Sequence, residues 1–106
     1  MAFYNRRVDP LPVGVFDSGV GGLTVLHECL VTMPHEDFLY LGDHARLPYG
    51  PRPLDEIARF AREIGGYLEG QGVKLILVAC NAATSAALPQ LQEDLSAPVV
   101  GVITPE

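Results

Sequence analysis

Little in this sequence is typical of an exported, membrane-bound or nucleic-acid-binding protein. It contains only two cysteines, Cys29 and Cys80, which excludes the disulfide framework of small secreted domains. Seven basic residues face thirteen acidic ones, and the net charge of -6 argues against nucleic acids and anionic membrane surfaces as partners. The longest apolar run, residues 73–80, is interrupted by Lys74 and is too short to span a bilayer. We therefore expect a cytoplasmic protein.

The sequence does have enough apolar material for one folded domain. Of its 106 residues, 48% are hydrophobic, which is sufficient for a core. Residues 1–12 contain two prolines and predict a loose N-terminal leader. We assign residues 13–106 to a single domain, because no repeat, low-complexity tract or linker interrupts them.

Short apolar runs alternate with helical patterns along this domain. Strands are predicted near residues 13–16, 38–41, 75–79 and 99–103. The helices between them are marked by Leu23, Leu26, Leu30 and Met33, by an apolar stripe over residues 54–68, and by an alanine-rich stretch over 83–93. Such alternation predicts an α/β fold with a parallel sheet and helices on both faces. Glu106 follows the fourth strand without a covering helix, so we expect a domain truncated at that point.

Polar residues follow each predicted strand. They are Asp17 and Ser18, then Asp43, then Cys80 and Asn81, and finally Thr104. Ligands of open parallel sheets bind beyond the carboxyl ends of the strands, so we expect these side chains to share one edge. The glycine-rich turn at residues 19–22 is no dinucleotide fingerprint, because Thr24 stands where the third glycine is required.

Cys80 is the residue most suited to chemistry. A free cysteine is often only a small buried apolar residue, and that interpretation stays open. However, a thiol between a strand and a helix N-terminus faces N–H groups that favour the thiolate, which can act as base or nucleophile. A thiol hydrolase would also need a histidine, and only His44 is placed to approach. Cys29 is predicted to be a core residue, and no cluster has the spacing of a metal site.

The loop after the second strand is long enough to be a binding element. Arg46 and Tyr49 lie in it, beside backbone N–H groups, and an arginine and an aromatic residue of this kind could hold a small carboxylate.

Three motifs together resemble the N-terminal half of the glutamate racemases, in the aspartate/glutamate racemase family. They are residues 17–22 (Asp-Ser-Gly-Val-Gly-Gly), residues 42–43 with 45–50 (Gly-Asp and Ala-Arg-Leu-Pro-Tyr-Gly), and residues 79–81 (Ala-Cys-Asn). The resemblance covers residues 13–105. It implies a flavodoxin-like half of a two-domain, cofactor-independent racemase that interconverts L- and D-glutamate for peptidoglycan. It is also compatible with a homodimer.

The resemblance also implies roles for particular residues. Two thiols would face opposite sides of the substrate Cα; Cys80 matches the first, and Asp17 would assist it. The implied substrate contacts are Asp17, Ser18, Pro48, Tyr49, Gly50, Asn81 and Ala82.

This sequence departs from the family pattern in two ways that bear on activity. Ala82 stands where threonine is usual, which predicts weaker substrate binding. The second thiol belongs to a later Cys-Thr-His segment that these residues lack, so we expect the chain alone to be inactive or weak. An alternative is a catalytically dead amino-acid-binding or regulatory module of the same fold.

Overall fold

The computed structural model describes residues 10–19 and 21–102. The strands are β1 (Val13–Asp17), β2 (Phe38–Gly42), β3 (Leu75–Val78) and β4 (Val99–Gly101). The helices are α1 (Leu23–Thr32), α2 (Leu54–Gly70) and α3 (Asn81–Asp94), with a short 3-10 turn at His44–Arg46. α3 begins two residues earlier than the alanine-rich pattern predicts, so Asn81 lies in its first turn. Thr104 lies outside the described residues.

The four strands form one parallel sheet in the order β2-β1-β3-β4. The predicted α/β alternation is therefore confirmed. β1 pairs with β2 from Val13↔Phe38 to Asp17↔Gly42 and with β3 from Val13↔Leu75 to Phe16↔Val78. β1 and β3 are the central strands, and the chain reverses its direction of travel across the sheet between them. Such a reversal opens a crevice beyond the carboxyl ends of the two strands.

The core lies on the face of the sheet that α2 and α3 cover. Phe16, Ile76 and Val78 point to this face and pack with Ile57 and Leu91 from the two helices, all nearly inaccessible to solvent. The predicted apolar stripe is buried from Ile57 to Leu68, because those side chains recur on the side of α2 that faces the sheet, whereas Leu54 at its start is 65% exposed. This packing holds the end of β3 and the start of α3 in place.

The opposite face, where α1 lies, departs from the prediction. The pattern of Leu23, Leu26, Leu30 and Met33 predicts a buried stripe, but α1 has no buried residue among those described. Leu30 is 49% exposed and Met33 41%. A groove of about 440 Å³ separates this helix from β1 and β3, and Cys29 lines it half-buried instead of lying in the core. The periodicity shows that one side of the helix is apolar but not that anything covers it.

Candidate active site

A cleft of about 280 Å³ opens at the carboxyl ends of β1 and β3. The residues to which the family resemblance assigns catalysis or substrate binding all line it, namely Asp17, Ser18, Pro48, Tyr49, Gly50, Cys80, Asn81 and Ala82. Gly21, Leu47 and Ala79 complete the lining. The volume is close to the lower end of small-molecule sites, about 300–1,000 Å³, and suits a ligand of amino-acid size.

Cys80 is the capping residue of α3 at the floor of this cleft. Its backbone is extended, and its carbonyl oxygen accepts the first-turn hydrogen bond from the N–H of Thr84 at 2.9 Å. The residue is 7% exposed, so the thiol is mostly covered yet still borders the cleft. The first N–H groups of a helix have no partner within the helix, and they carry the positive end of its dipole. Cys80 therefore stands immediately before these N–H groups.

Asp17 is buried beside it at the end of β1. Its Oδ2 accepts hydrogen bonds from the backbone N–H of Gly22 at 2.6 Å and from the hydroxyl of Tyr40 at 2.8 Å. Only 2% of the residue is exposed. Among the described residues both donors reach the same oxygen, so Oδ1 is the oxygen left for a ligand.

The glycine-rich turn after β1 is shaped by close approaches. A Cβ on Gly22 would lie 2.8 Å from both Cγ and Oδ2 of Asp17, so only glycine lets its N–H reach the carboxylate. A Cβ on Gly19 would lie 2.7 Å from Leu47, where the turn meets the loop after β2. This geometry is that of a tight turn closed on Asp17 and Leu47.

Asp43 fixes the loop that forms the other wall of the cleft. The hydroxyl of Tyr49 donates to its Oδ2 at 2.5 Å, and Arg46 Nε donates to the same oxygen at 2.7 Å. Tyr49 is 2% exposed, with its ring against Phe16 and Phe60. Burial, and then the bond to Asp43, raise the pKa of Tyr49 well above its usual range, so its hydroxyl stays a donor. Asp43 does not line the cleft but holds a residue that does.

The expectation that Arg46 could hold a small carboxylate is wrong, whereas a part for Tyr49 in binding stays a prediction. The guanidinium of Arg46 is paired with Asp43 and with Glu63 at 3.2 Å, and it stacks on Phe60 at 3.9 Å from the ring centroid. It does not line the cleft, and the Tyr49 hydroxyl is already bonded. This loop can therefore offer a ligand only its backbone, at Tyr49 and its neighbour.

Two other candidates are not brought to the cleft. Nε2 of His44 lies 3.0 Å from the carbonyl oxygen of Gly19, and His44 is not part of the lining, which removes support for a cysteine–histidine hydrolase. Cys29 is in the groove beside α1. Sequence reasoning missed Tyr40, because a tyrosine in a strand is usually a core residue. Its hydroxyl contacts Asp17 from outside the lining of the cleft.

The charges at the cleft indicate what it can bind. Asp17 is the only carboxylate among its described lining residues, and they include no lysine, arginine or histidine. A carboxylate ligand would therefore depend on the N–H groups at the start of α3 and in the loop. Within residues 10–19 and 21–102, no group of three acidic, histidine or cysteine side chains could hold a metal ion. No helix in that part of the chain is long and apolar enough to cross a membrane.

Fold and cleft together define a parallel α/β domain with a thiol and a carboxylate at adjacent strand ends. No family model matches the chain. However, it is 64% identical over 94 residues to the glutamate racemase of Thermus thermophilus, covering 89% of this chain and 37% of that protein. It is 53% identical over 93 residues to the glutamate racemase of Listeria monocytogenes, covering 88% of this chain and 35% of that protein.

Solved structures agree. The crystal structure of Thermus thermophilus glutamate racemase with beta-chloro-D-alanine superposes with a TM-score of 0.84 at 63% identity, covering 87% of this chain and 36% of that one. The crystal structure of the Francisella tularensis glutamate racemase with D-glutamate superposes with a TM-score of 0.84 at 41% identity, covering 89% of this chain and 36% of that one. This chain is thus a homologue of the glutamate racemases and spans about a third of their length.

Proposed function

We propose that this chain forms the thiol-bearing N-terminal domain of a cofactor-independent glutamate racemase, in which Cys80 exchanges the Cα proton of the substrate. The observation that carries the proposal is the cleft itself, where Cys80 at the start of α3 and Asp17 at the end of β1 line the same small volume. The relatives named glutamate racemase, and the related structure with D-glutamate, support glutamate as the substrate.

The charges of glutamate suit the groups around the cleft. Its ammonium group would pair with Asp17, the only carboxylate in the described lining. Its carboxylates would accept hydrogen bonds from the N–H groups of Asn81 and Ala82 in the first turn of α3, and from the backbone of Gly50. In this arrangement Ser18 and Pro48 enclose the bound molecule.

The thiol would act as a base in its deprotonated form. Sγ of Cys80 takes the proton from Cα, and the electron pair of the broken bond stays on a planar carbanion. Inversion then needs a proton from the opposite face, delivered by a second acid. Cys29 does not supply it, because it lies beyond the sheet in the groove beside α1. In the complete enzyme we assign this step to a part of the protein outside these 106 residues.

The decisive experiment uses the complete product of the coding sequence. Racemisation of L- and D-glutamate is followed by optical rotation, and exchange of the Cα hydrogen by NMR in deuterated water. Removing the base should lower the rate by about 10²- to 10⁴-fold in Cys80→Ala. Cys29→Ala is the matched control and should retain the wild-type rate. A wild-type protein without exchange, or an active Cys80→Ala variant, would refute the proposal.

The 106-residue chain provides a second comparison. With one thiol at the cleft it should exchange the Cα proton of a single enantiomer slowly and yield no inverted product. Rapid racemisation by these residues alone would contradict the need for a second acid. Binding of glutamate without exchange, in this chain and in the complete product alike, would instead favour the amino-acid-binding or regulatory module.

The remaining parts of the proposal follow from the homology. Such an activity would supply D-glutamate for peptidoglycan and so serve cell-wall formation and cell shape. It would be expected in the cytoplasm. Deleting the gene in the organism that encodes it should create a requirement for D-glutamate in the medium. Growth without D-glutamate would show that another enzyme supplies it or that the assignment is wrong.

A further inference from the structure

Tyr40 lies next to the site but has no part in the mechanism above. It is in β2, in register with Val15 of β1. Its hydroxyl oxygen lies 2.8 Å from Oδ2 of Asp17 and also 2.8 Å from the carbonyl oxygen of Gly19. A phenol carries one hydrogen, so it can donate to only one of these two acceptors at a time.

Each of the two arrangements suits one protonation state of Asp17. When the carboxylate is charged, the hydroxyl of Tyr40 donates to Oδ2, and His44 remains within reach of the carbonyl of Gly19. When Oδ2 carries a proton, that proton is donated to the phenol oxygen, and the phenol hydrogen turns to the carbonyl of Gly19. No covalent bond of the phenol is made or broken in the change.

Tyr40 keeps its own proton in both arrangements. Burial, together with the hydrogen bond and the charge of Asp17, raises the pKa of Tyr40 to about 12. Two other titratable groups of the described residues lie near this pair: Cys80 lines the cleft with Asp17, and Nε2 of His44 lies 3.0 Å from the carbonyl oxygen of Gly19. Neither group donates a hydrogen bond to Oδ2 of Asp17. Among the described residues, the side chain that donates to this oxygen is therefore Tyr40.

We propose that Tyr40 is a positioning residue for Asp17, holding its carboxyl group at one place in the cleft whether that group is charged or neutral. This inference rests on the proposed function, in which Asp17 faces the substrate beside Cys80. A carboxyl group held only by the N–H of Gly22 could rotate away from the reacting atoms. The ammonium group of glutamate can follow a small displacement of the carboxylate, whereas proton transfer at Cys80 requires fixed geometry, so the effect should appear in the chemical step more than in substrate binding.

The test compares Tyr40→Phe with Tyr67→Phe in the complete protein. Tyr67 is a matched control, because it is 54% exposed on α2 and does not line the cleft. Loss of one hydrogen bond to a charged group should lower kcat for glutamate racemisation by about 10- to 100-fold in Tyr40→Phe. KM should change by less than about threefold, and Tyr67→Phe should match the wild type. Replacing Tyr40 by 3-fluorotyrosine returns the hydroxyl and should restore kcat.

A second readout does not depend on racemisation. Hydrogen exchange at the backbone amide of Gly22, which donates to Asp17, should become about tenfold faster in Tyr40→Phe and stay unchanged in Tyr67→Phe. If Tyr40→Phe keeps wild-type kcat and the same exchange at Gly22, the inference on Tyr40 is overturned while the proposed function stands. If the wild type fails to racemise glutamate but the amide of Gly22 responds, the positioning role stands and the proposed function falls.

Discussion

The contact between Tyr49 and Asp43 should contribute measurably to the stability of the domain. Tyr49→Phe removes one hydroxyl and leaves the ring between Phe16 and Phe60. The lost bond goes to a carboxylate, so the expected cost is about 1.5–3 kcal/mol in the free energy of unfolding. Arg46 still reaches the same carboxylate oxygen, which favours the lower end of that range.

Urea denaturation followed by circular dichroism measures this cost directly. Tyr67→Phe, on the exposed side of α2, is the control and should stay within about 0.5 kcal/mol of the wild type. The variant should also let iodoacetamide reach Cys80 faster, because the loop that Asp43 holds forms the opposite wall of the cleft. Equal stability of Tyr49→Phe and the wild type would refute the idea that this bond anchors the loop.

Three further outcomes follow from the site. Gly22→Ala forces a methyl group to 2.8 Å from the Asp17 carboxyl and should destabilise the fold by about 1–3 kcal/mol. Gly66→Ala, with open space around it, should stabilise α2 by about 0.5–1 kcal/mol. Thermal unfolding compares the two variants, and equal shifts in their melting temperatures would contradict the contact at Gly22. Ala82→Thr in the complete protein should lower KM for glutamate about tenfold by adding a hydroxyl at the cleft, and an unchanged KM would rule that contact out. Because the pKa of Tyr40 rises from an ordinary value of about 10 to about 12, its contribution to stability is present below pH ~10 and lost as the pH rises through ~12. Urea unfolding of the wild type over this pH range should show the loss, and Tyr40→Phe should not show it.

The order of elements could be predicted from the sequence because it depends on local signals. Each strand is a short apolar run closed by polar or glycine residues, and the repeat of three and four residues marks α2 clearly. The parallel arrangement then brings Asp17 and Cys80 to one edge, since the carboxyl ends of parallel strands lie together. Their shared place in the cleft was therefore predictable without any knowledge of the loops.

Contacts made between loops and distant strands could not be predicted in this way. Arg46 has the charge to bind a carboxylate ligand, but Asp43, Glu63 and the ring of Phe60 occupy it, and nothing in the spacing of these residues reveals that. Likewise, Tyr40 has the pattern of a core aromatic residue until the turn after β1 brings an acceptor to its hydroxyl.

The exposed face of α1 has a related explanation. Periodicity reports which side of a helix is apolar, whereas burial depends on what packs against that side. Among the described residues Met33 faces only a groove, and Leu30 is 49% exposed, so the pattern alone gave the wrong burial.

The pairing of β1 with β3 also has a mechanical consequence. The N–H of Ala79 donates to the carbonyl of Phe16 at 2.8 Å, so the last rung of the ladder joins the residues immediately before Cys80 and Asp17. The spacing between thiol and carboxyl is thus set by a stiff backbone lattice in the middle of the sheet. The wall carrying Tyr49 is instead held by side-chain bonds to Asp43. A substitution in that loop would therefore alter the wall of the cleft and leave the spacing of the reactive pair unchanged.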